Sequence, residues 1–307
     1  MCTLKLPGLD GSHLFGFLAT YGLLRLLHRG SLRNREFHPR LYFDQYDFCA
    51  VLEGVPSESF LDEILHSELK ALRERLTSDF LSIDKPADLT RGFIDVIAKS
   101  GDELSLDELA GIGCIIGDDS HESTLCAANG AGHQKLVLAM RDVLALIEEH
   151  RDLLLEAVHR PWTFEFEPTR QDRKKLNLGN RKPTLRLDPS DERLYAFRLN
   201  NPTSNGALYR TELGAQVLAA AAFGGLPVIP RQGNPVTVGS ERQGTRTFFY
   251  WGLWSTPATY PAIRSLLVTG IRLSEDARAR GVFAAFRAAR VTGSKGKLSF
   301  APTEPWW

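Results

Sequence analysis

Two stretches of this chain gather side chains whose types and spacing could do chemistry. Cys114, Asp118, Asp119, His121, Glu122, Cys126 and His133 fall within twenty residues of one another. Thiolate, imidazole and carboxylate are the groups that ligate zinc or a harder cation, so a metal-dependent nuclease would have to be built on them. No pair has the close spacing of a structural zinc site, and no pair of carboxylates is set on an obvious strand. The plainer reading is a solvated loop in which Asp119 or Ser120 caps a turn, beside two small thiols. The second stretch, "RQDRKKLNLGNRKPTLR" over 170–186, sets Arg170, Arg173, Lys174, Lys175, Arg181, Lys182 and Arg186 against the lone acid Asp172. Gly179, Asn180 and Pro183 mark it as a loop. Seven cations on a loop suit a nucleic-acid backbone, through phosphate contact and counterion release without reading sequence.

Smaller features extend that basic reading. Arg287, Arg290, Lys295 and Lys297 form a second basic edge in the same half of the chain. In "NGAGHQK" (129–135), small residues precede a helix start, where free N–H groups could meet a phosphate beside His133 and Lys135. An ordinary loop and helix start fits the same residues. The strand-like "RTFFYWGLW" could stack bases, although an aromatic strand buried in a core explains it more simply.

Three imitations of catalytic or nucleotide motifs fail. "GIGCIIG" (111–117) lacks the preceding strand that a dinucleotide fingerprint needs and reads as tight helix packing or a helix end. "GSHLFG" has no following Gly-Lys-Ser/Thr and is no nucleophile elbow.

The elements that must position these groups follow from periodicity. "TLKL" reads as a strand. It leads into an apolar helix with Ser12 as N-cap and Leu14, Phe17, Leu18, Tyr21 and Leu24 on one face. Tyr21, Gly22 and Arg25 interrupt the run and a charged segment follows it, so it reads as a buried helix rather than a leader or a membrane span. "RLYFDQYDFCAVLEG" reads as extended. Helices are expected over 58–80, in "LTRGFIDVIAK" and "SLDELAGIGCII", and over 134–156. Beyond 160, "WTFEFEP", "RLYAFRL", "GLPVIPR", "PVTVGS" and "RTFFYWGLW" read as strands. "ELGAQVLAAAAFGG" and "YPAIRSLLVTG" read as helices, and "GSKG" reads as the turn of a terminal hairpin. The fold class is α+β: a helix-rich N-terminal half, then a mixed, more strand-rich C-terminal half.

Composition sharpens the division. The 307 residues carry 37 basic and 37 acidic side chains, a formal net charge of zero. Residues 1–160 nevertheless hold 16 Lys and Arg against 26 Asp and Glu, whereas 161–307 hold 21 against 11. The expected organisation is an acidic helix-rich region, 1–160, and a basic mixed region, 161–307, with a soft boundary that leaves a single domain open. Opposite signs fit a basic half that faces a polyanion, or two halves that attract each other. Four cysteines without C-x-x-C spacing fit a reducing, cytoplasmic location.

Several blocks, in order along most of the chain, resemble large-subunit-like proteins of type I-G (formerly type I-U) CRISPR systems. They are "LPGLDGSHLFGFLATYGLLRLL", "ANGAGHQKLVLAMRDV", "LDPSDERLYAFRLNNPTSN", "GAQVLAAAAFGGLPVIPR" and "FFYWGLWSTPATYPAIRSLL". The resemblance implies a non-catalytic subunit of an RNA-guided Cascade complex, with guide RNA, target DNA and other Cas subunits as partners. It implies no catalytic residues; no metal, no cofactor and no membrane are expected. A nuclease on the 114–133 cluster and a pure protein–protein adaptor that docks through its acidic half are the alternatives.

Overall fold

The structure is a computed structural model that describes residues 2–78, 108, 110–116, 119–125, 136–179, 184, 185, 187, 211–269, 274–292 and 298–307. It is an α+β chain, helical in the first half and richer in sheet in the second. Strand β1 (Cys2–Asp10) leads into helix α1 (Leu14–Arg33), followed by β2 (Arg40–Phe43), β3 (Cys49–Val55) and α2 (Glu58–Ser78). The extended segment 40–54 is therefore a hairpin. Asp44 turns it by accepting the Tyr46 N–H at 2.8 Å and, through its carbonyl, the Phe48 N–H at 3.0 Å. The three strands form one antiparallel sheet in the order β1-β3-β2.

Next come the hairpin of β4 (Gly113–Ile116) and β5 (Asp119–Glu122), then α3 (Leu136–Glu149), α4 (Asp152–His159) and α5 (Arg170–Lys175). Three expectations change here. The helix expected through "SLDELAGIGCII" stops at Gly111 and Ile112, the helix end that "GIGCIIG" suggests, and the rest is strand β4. The single helix expected over 134–156 is broken at His150 and Arg151 into α3 and α4. "WTFEFEP" forms no strand beyond an isolated bridge between Phe166 and Thr211, because Phe164 takes the left-handed region at φ 55°. The readings of "LTRGFIDVIAK" and "RLYAFRL" lie outside the described residues.

Helix α6 (Leu213–Ala222) closes in a 3-10 turn (Phe223–Gly225), which ends at the glycines the sequence suggests. Hairpin β6 (Val228–Arg231)/β7 (Asn234–Thr237) follows, then β8 (Ser240–Gln243), β9 (Arg246–Trp254), α7 (Tyr260–Thr269), α8 (Ser274–Ala279), β10 (Val282–Thr292), β11 (Leu298–Phe300) and β12 (Glu304–Pro305). The second sheet runs β11-β10-β9-β8, all antiparallel, with β12 pairing β10 beyond β11. The terminal hairpin is thus present as expected.

One contiguous core draws on residues from both charge regions. Its centre is the contact of α1 with α6. Every residue of α6 is buried, and its run of alanines lets the two backbones approach. A β-carbon on Gly22 would stand 1.8 Å from the Leu218 carbonyl oxygen, so only glycine fits that crossing. The two sheets are joined by indole donors: Trp251 Nε1 donates to the Gly11 carbonyl at 2.8 Å, and Trp254 Nε1 to that of Leu41 at 2.5 Å. A buried ion cluster adds directionality. Glu108 receives both Nη atoms of Arg25 at 2.7 and 3.1 Å and Arg29 Nη1 at 2.8 Å, while Arg25 Nη1 also donates to the Ala221 carbonyl at 2.8 Å. α1 is thereby tied to the C-terminal turn of α6, where guanidinium charge complements the helix dipole. None of the helices among the described residues is long and apolar enough to cross a membrane.

Candidate nucleic-acid interface

The basic segment 170–186 opens as a helix rather than a loop. Thr169 caps α5: its Oγ1 accepts the Asp172 N–H at 3.1 Å, and the Asp172 carboxylate accepts the Thr169 N–H at 2.8 Å. This reciprocal box satisfies the free donors of a helix start, and it overrides the loop residues that follow. The signal was present in "TRQD", a Thr three residues before an acid. After Lys175 the chain leaves the helix through Asn177 and Gly179, both at positive φ.

The box sets where the cations point. Arg170, Lys174 and Lys175 are exposed, Arg173 is partly so, and Asp172 is buried beneath them. Lys175 Nζ pairs with Glu149 at 2.5 Å, and Arg173 Nη1 donates to the Gly179 carbonyl at 3.4 Å. Arg170 and Lys174 have no acidic partner among the described residues and stand one helical turn apart, on one side of α5. Asp172 also meets His150 Nε2 at 3.2 Å. Burial works to raise its pKa, but the Thr169 donors and His150 outweigh that and hold the carboxyl below the usual range. The lone acid of the stretch is therefore spent inside the cap. Arg181, Lys182 and Arg186 lie outside the described residues.

The second edge is arranged differently. Arg287 on β10 lies between two rings, 4.8 Å from the Phe248 centroid and 4.6 Å from that of Trp306, and pairs with Glu304 at 2.9 Å. Arg290 lies opposite Thr247 in the β9–β10 register and is partly buried. Lys295 and Lys297 lie outside the described residues, as do His133 and Lys135. The aromatic strand β9 divides by parity. Phe249, Trp251 and Leu253 enter the main core. Phe248 and Tyr250 face the other side of the sheet, in a small cluster with Ala289 that Trp306 packs against.

Sequence density missed three cations. Arg231 ends β6 at its hairpin turn, and Arg242 and Arg246 flank the turn at Gly244 between β8 and β9. All three are exposed, with no acidic partner among the described residues. They are single arginines spread along the chain, so no run announces them. Only hairpin pairing brings Arg242 and Arg246 to one tip.

Only part of the candidate metal cluster lies among the described residues. Cys114 and His121 face each other across the β4–β5 hairpin, while Asp118, Cys126 and His133 lie outside the described residues. Burial pushes the Cys114 thiol up, away from the thiolate that a metal needs. Among the described residues, no group of three or more His, Cys, Asp or Glu side chains could hold an ion.

Compared with known proteins, the chain matches no family model, no curated protein and no solved structure.

Proposed function

We propose that this chain is a non-catalytic, nucleic-acid-contacting subunit of an RNA-guided complex of the CRISPR Cascade kind. It touches the backbone of guide RNA or target DNA and binds neighbouring Cas subunits in the cytoplasm. Sequence is then read by base pairing, while the protein contributes phosphate contacts and shape. The observation that carries the reading is α5. Its only acid is consumed by the cap, and Arg170 and Lys174 are exposed one turn apart, with no acidic partner among the described residues. Exposed Arg231, Arg242 and Arg246 add to the same basic half. The order of the sequence blocks supports the choice of complex. Co-purification tests it: the chain should bring down a guide RNA and its partner subunits when these are expressed together. A chain that never enters such a complex contradicts the proposal.

One feature favours a protein-docking role instead. Tyr46 is 97% exposed at the tip of the β2–β3 turn, and the turn is fixed by Lys5, which pairs with Asp44 at 3.1 Å and Asp47 at 2.7 Å. An exposed tyrosine beside carboxylates on a braced turn suits contact with a cationic protein surface. On this reading partner binding weakens with salt, and the chain alone has no affinity for nucleic acid.

A further inference from the structure

The corner between β1 and α1 holds an unusual cap. The expected N-cap, Ser12, does not serve; His13 does, with Nδ1 accepting the Gly16 N–H at 2.9 Å. An imidazole nitrogen can accept only while it carries no proton, so this geometry fixes the neutral ring with its hydrogen on Nε2. We propose that His13 is a proton-operated cap: neutral, it holds the first turn of α1, and protonated, it releases that turn and swings to Asp10.

Three observations support a two-position element. First, protonation at Nδ1 would set N–H against N–H at Gly16 and place a positive charge on the positive end of a 20-residue helix. Second, an alternative partner stands ready. Asp10, at the end of β1, already turns toward this corner by accepting the Ser12 N–H at 2.7 Å, and its charge acts on the ring. Third, the ring is partly buried and packed against neighbours. Trp162 meets it edge-on at 5.3 Å and also contacts Phe15 at 4.8 Å, and the neutral Thr303 hydroxyl accepts the Leu14 N–H at 3.3 Å. The neighbours facing the cap are thus Asp10 from β1, the Trp162 ring from the segment after α4, and Thr303 from the C-terminal segment. Among the described residues, Asp10 is the one charged group acting on the ring.

The direction of the pH dependence follows. Burial lowers the pKa of His13 below its ordinary value of 6.5, and the Asp10 carboxylate partly restores it. A folded-state pKa below the unfolded one means that the folded chain binds fewer protons. The cap's stabilisation is therefore complete above about pH 6.5 and is lost as pH falls through the lowered value. Release would loosen the place where α1, Trp162 and the C-terminal segment meet.

Amide hydrogen exchange at Gly16, measured on the full chain from pH 7.5 to pH 5 and corrected for the intrinsic rate, tests the proposal. Protection should be constant above about pH 6.5, fall by up to about tenfold per pH unit below that, and level off once pH has passed the lowered His13 pKa. In His13→Asn the amide oxygen caps without titrating, so protection should stay flat. Asp10→Asn should move the midpoint of the wild-type fall to lower pH, and it decides the matter should His13→Asn fail to fold. Equal Gly16 protection at pH 7.5 and pH 5, a fall that persists in His13→Asn, or a midpoint unmoved or raised in Asp10→Asn would each overturn the proposal.

Discussion

Lys175 reaches across from α5 to Glu149 at the end of α3, Nζ to carboxylate, at 2.5 Å. With His150 and Asp172, the pair spans the point at which the chain changes sign. The acidic and basic regions therefore do attract each other locally, yet the attraction uses Lys175 and leaves Arg170 and Lys174 outward. Both partners of the pair are partly exposed, so Lys175→Gln should lower stability by less than about 1 kcal/mol. Urea unfolding should show a midpoint within a few tenths molar of wild type.

The buried ion cluster should behave in the opposite way. Glu108→Gln removes the carboxylate that Arg25 and Arg29 share in a site where Arg25 is 2% exposed. Leaving a guanidinium buried without its counter-charge costs about 3–5 kcal/mol. Thermal unfolding should shift down by several degrees or more, and Arg25→Ala should cost a similar amount.

The α1–α6 crossing supplies a third test. Gly22→Ala inserts a methyl against the Leu218 carbonyl oxygen, a backbone atom that cannot swing away. The helices must separate, which costs at least about 1–3 kcal/mol even though alanine is the better helix former. A Gly22→Ala variant as stable as wild type would mean that the crossing is looser than described.

Acid should open α5. Asp172 is worth most to the cap as a carboxylate, and its pKa is lowered in the folded chain. Because the folded pKa lies below the unfolded one, the carboxylate's contribution is present above about pH 4 and lost as pH falls through the lowered value. Asp172→Asn should remove that part of the acid sensitivity, as read by exchange at the Asp172 and Arg173 amides between pH 5 and pH 2.5.

Much of this architecture was legible in the sequence, for physical reasons that differ by element. The leucine-rich run after "LDG" is apolar on every side, and burial is the only stable place for such a helix. The strand "RTFFYWGLW" follows from its run of aromatic residues, and the terminal hairpin from "GSKG" and the alternation of "KLSF". Short elements were harder to read. A cap made of two side chains, Thr169 and Asp172, outweighs the loop residues after it, and a histidine replaced serine at the start of α1 because its ring reaches Gly16. Strand β8 is four polar residues whose pairing is dictated by β9 rather than by its own pattern. The site was legible as a density of charge but not as geometry. Which cations are spent in pairs depends on contacts far apart in sequence, such as Lys175 with Glu149.

The central claim is that the exposed cations Arg170 and Lys174 on α5 meet phosphates. The most direct measurement is the affinity of the full chain for a fluorescent single-stranded RNA, as a function of salt, for wild type and the double variant Arg170→Ala/Lys174→Ala. Neither residue has an acidic partner among the described residues, so thermal stability should barely move. If each contact contributes about 0.7 to the salt slope, the double variant should show a slope shallower by about 1.4 and bind roughly 10- to 30-fold more weakly at 0.1 M salt, whatever the RNA sequence. Unchanged affinity and slope in a folded double variant, or no binding by wild type even at low salt, would contradict the account.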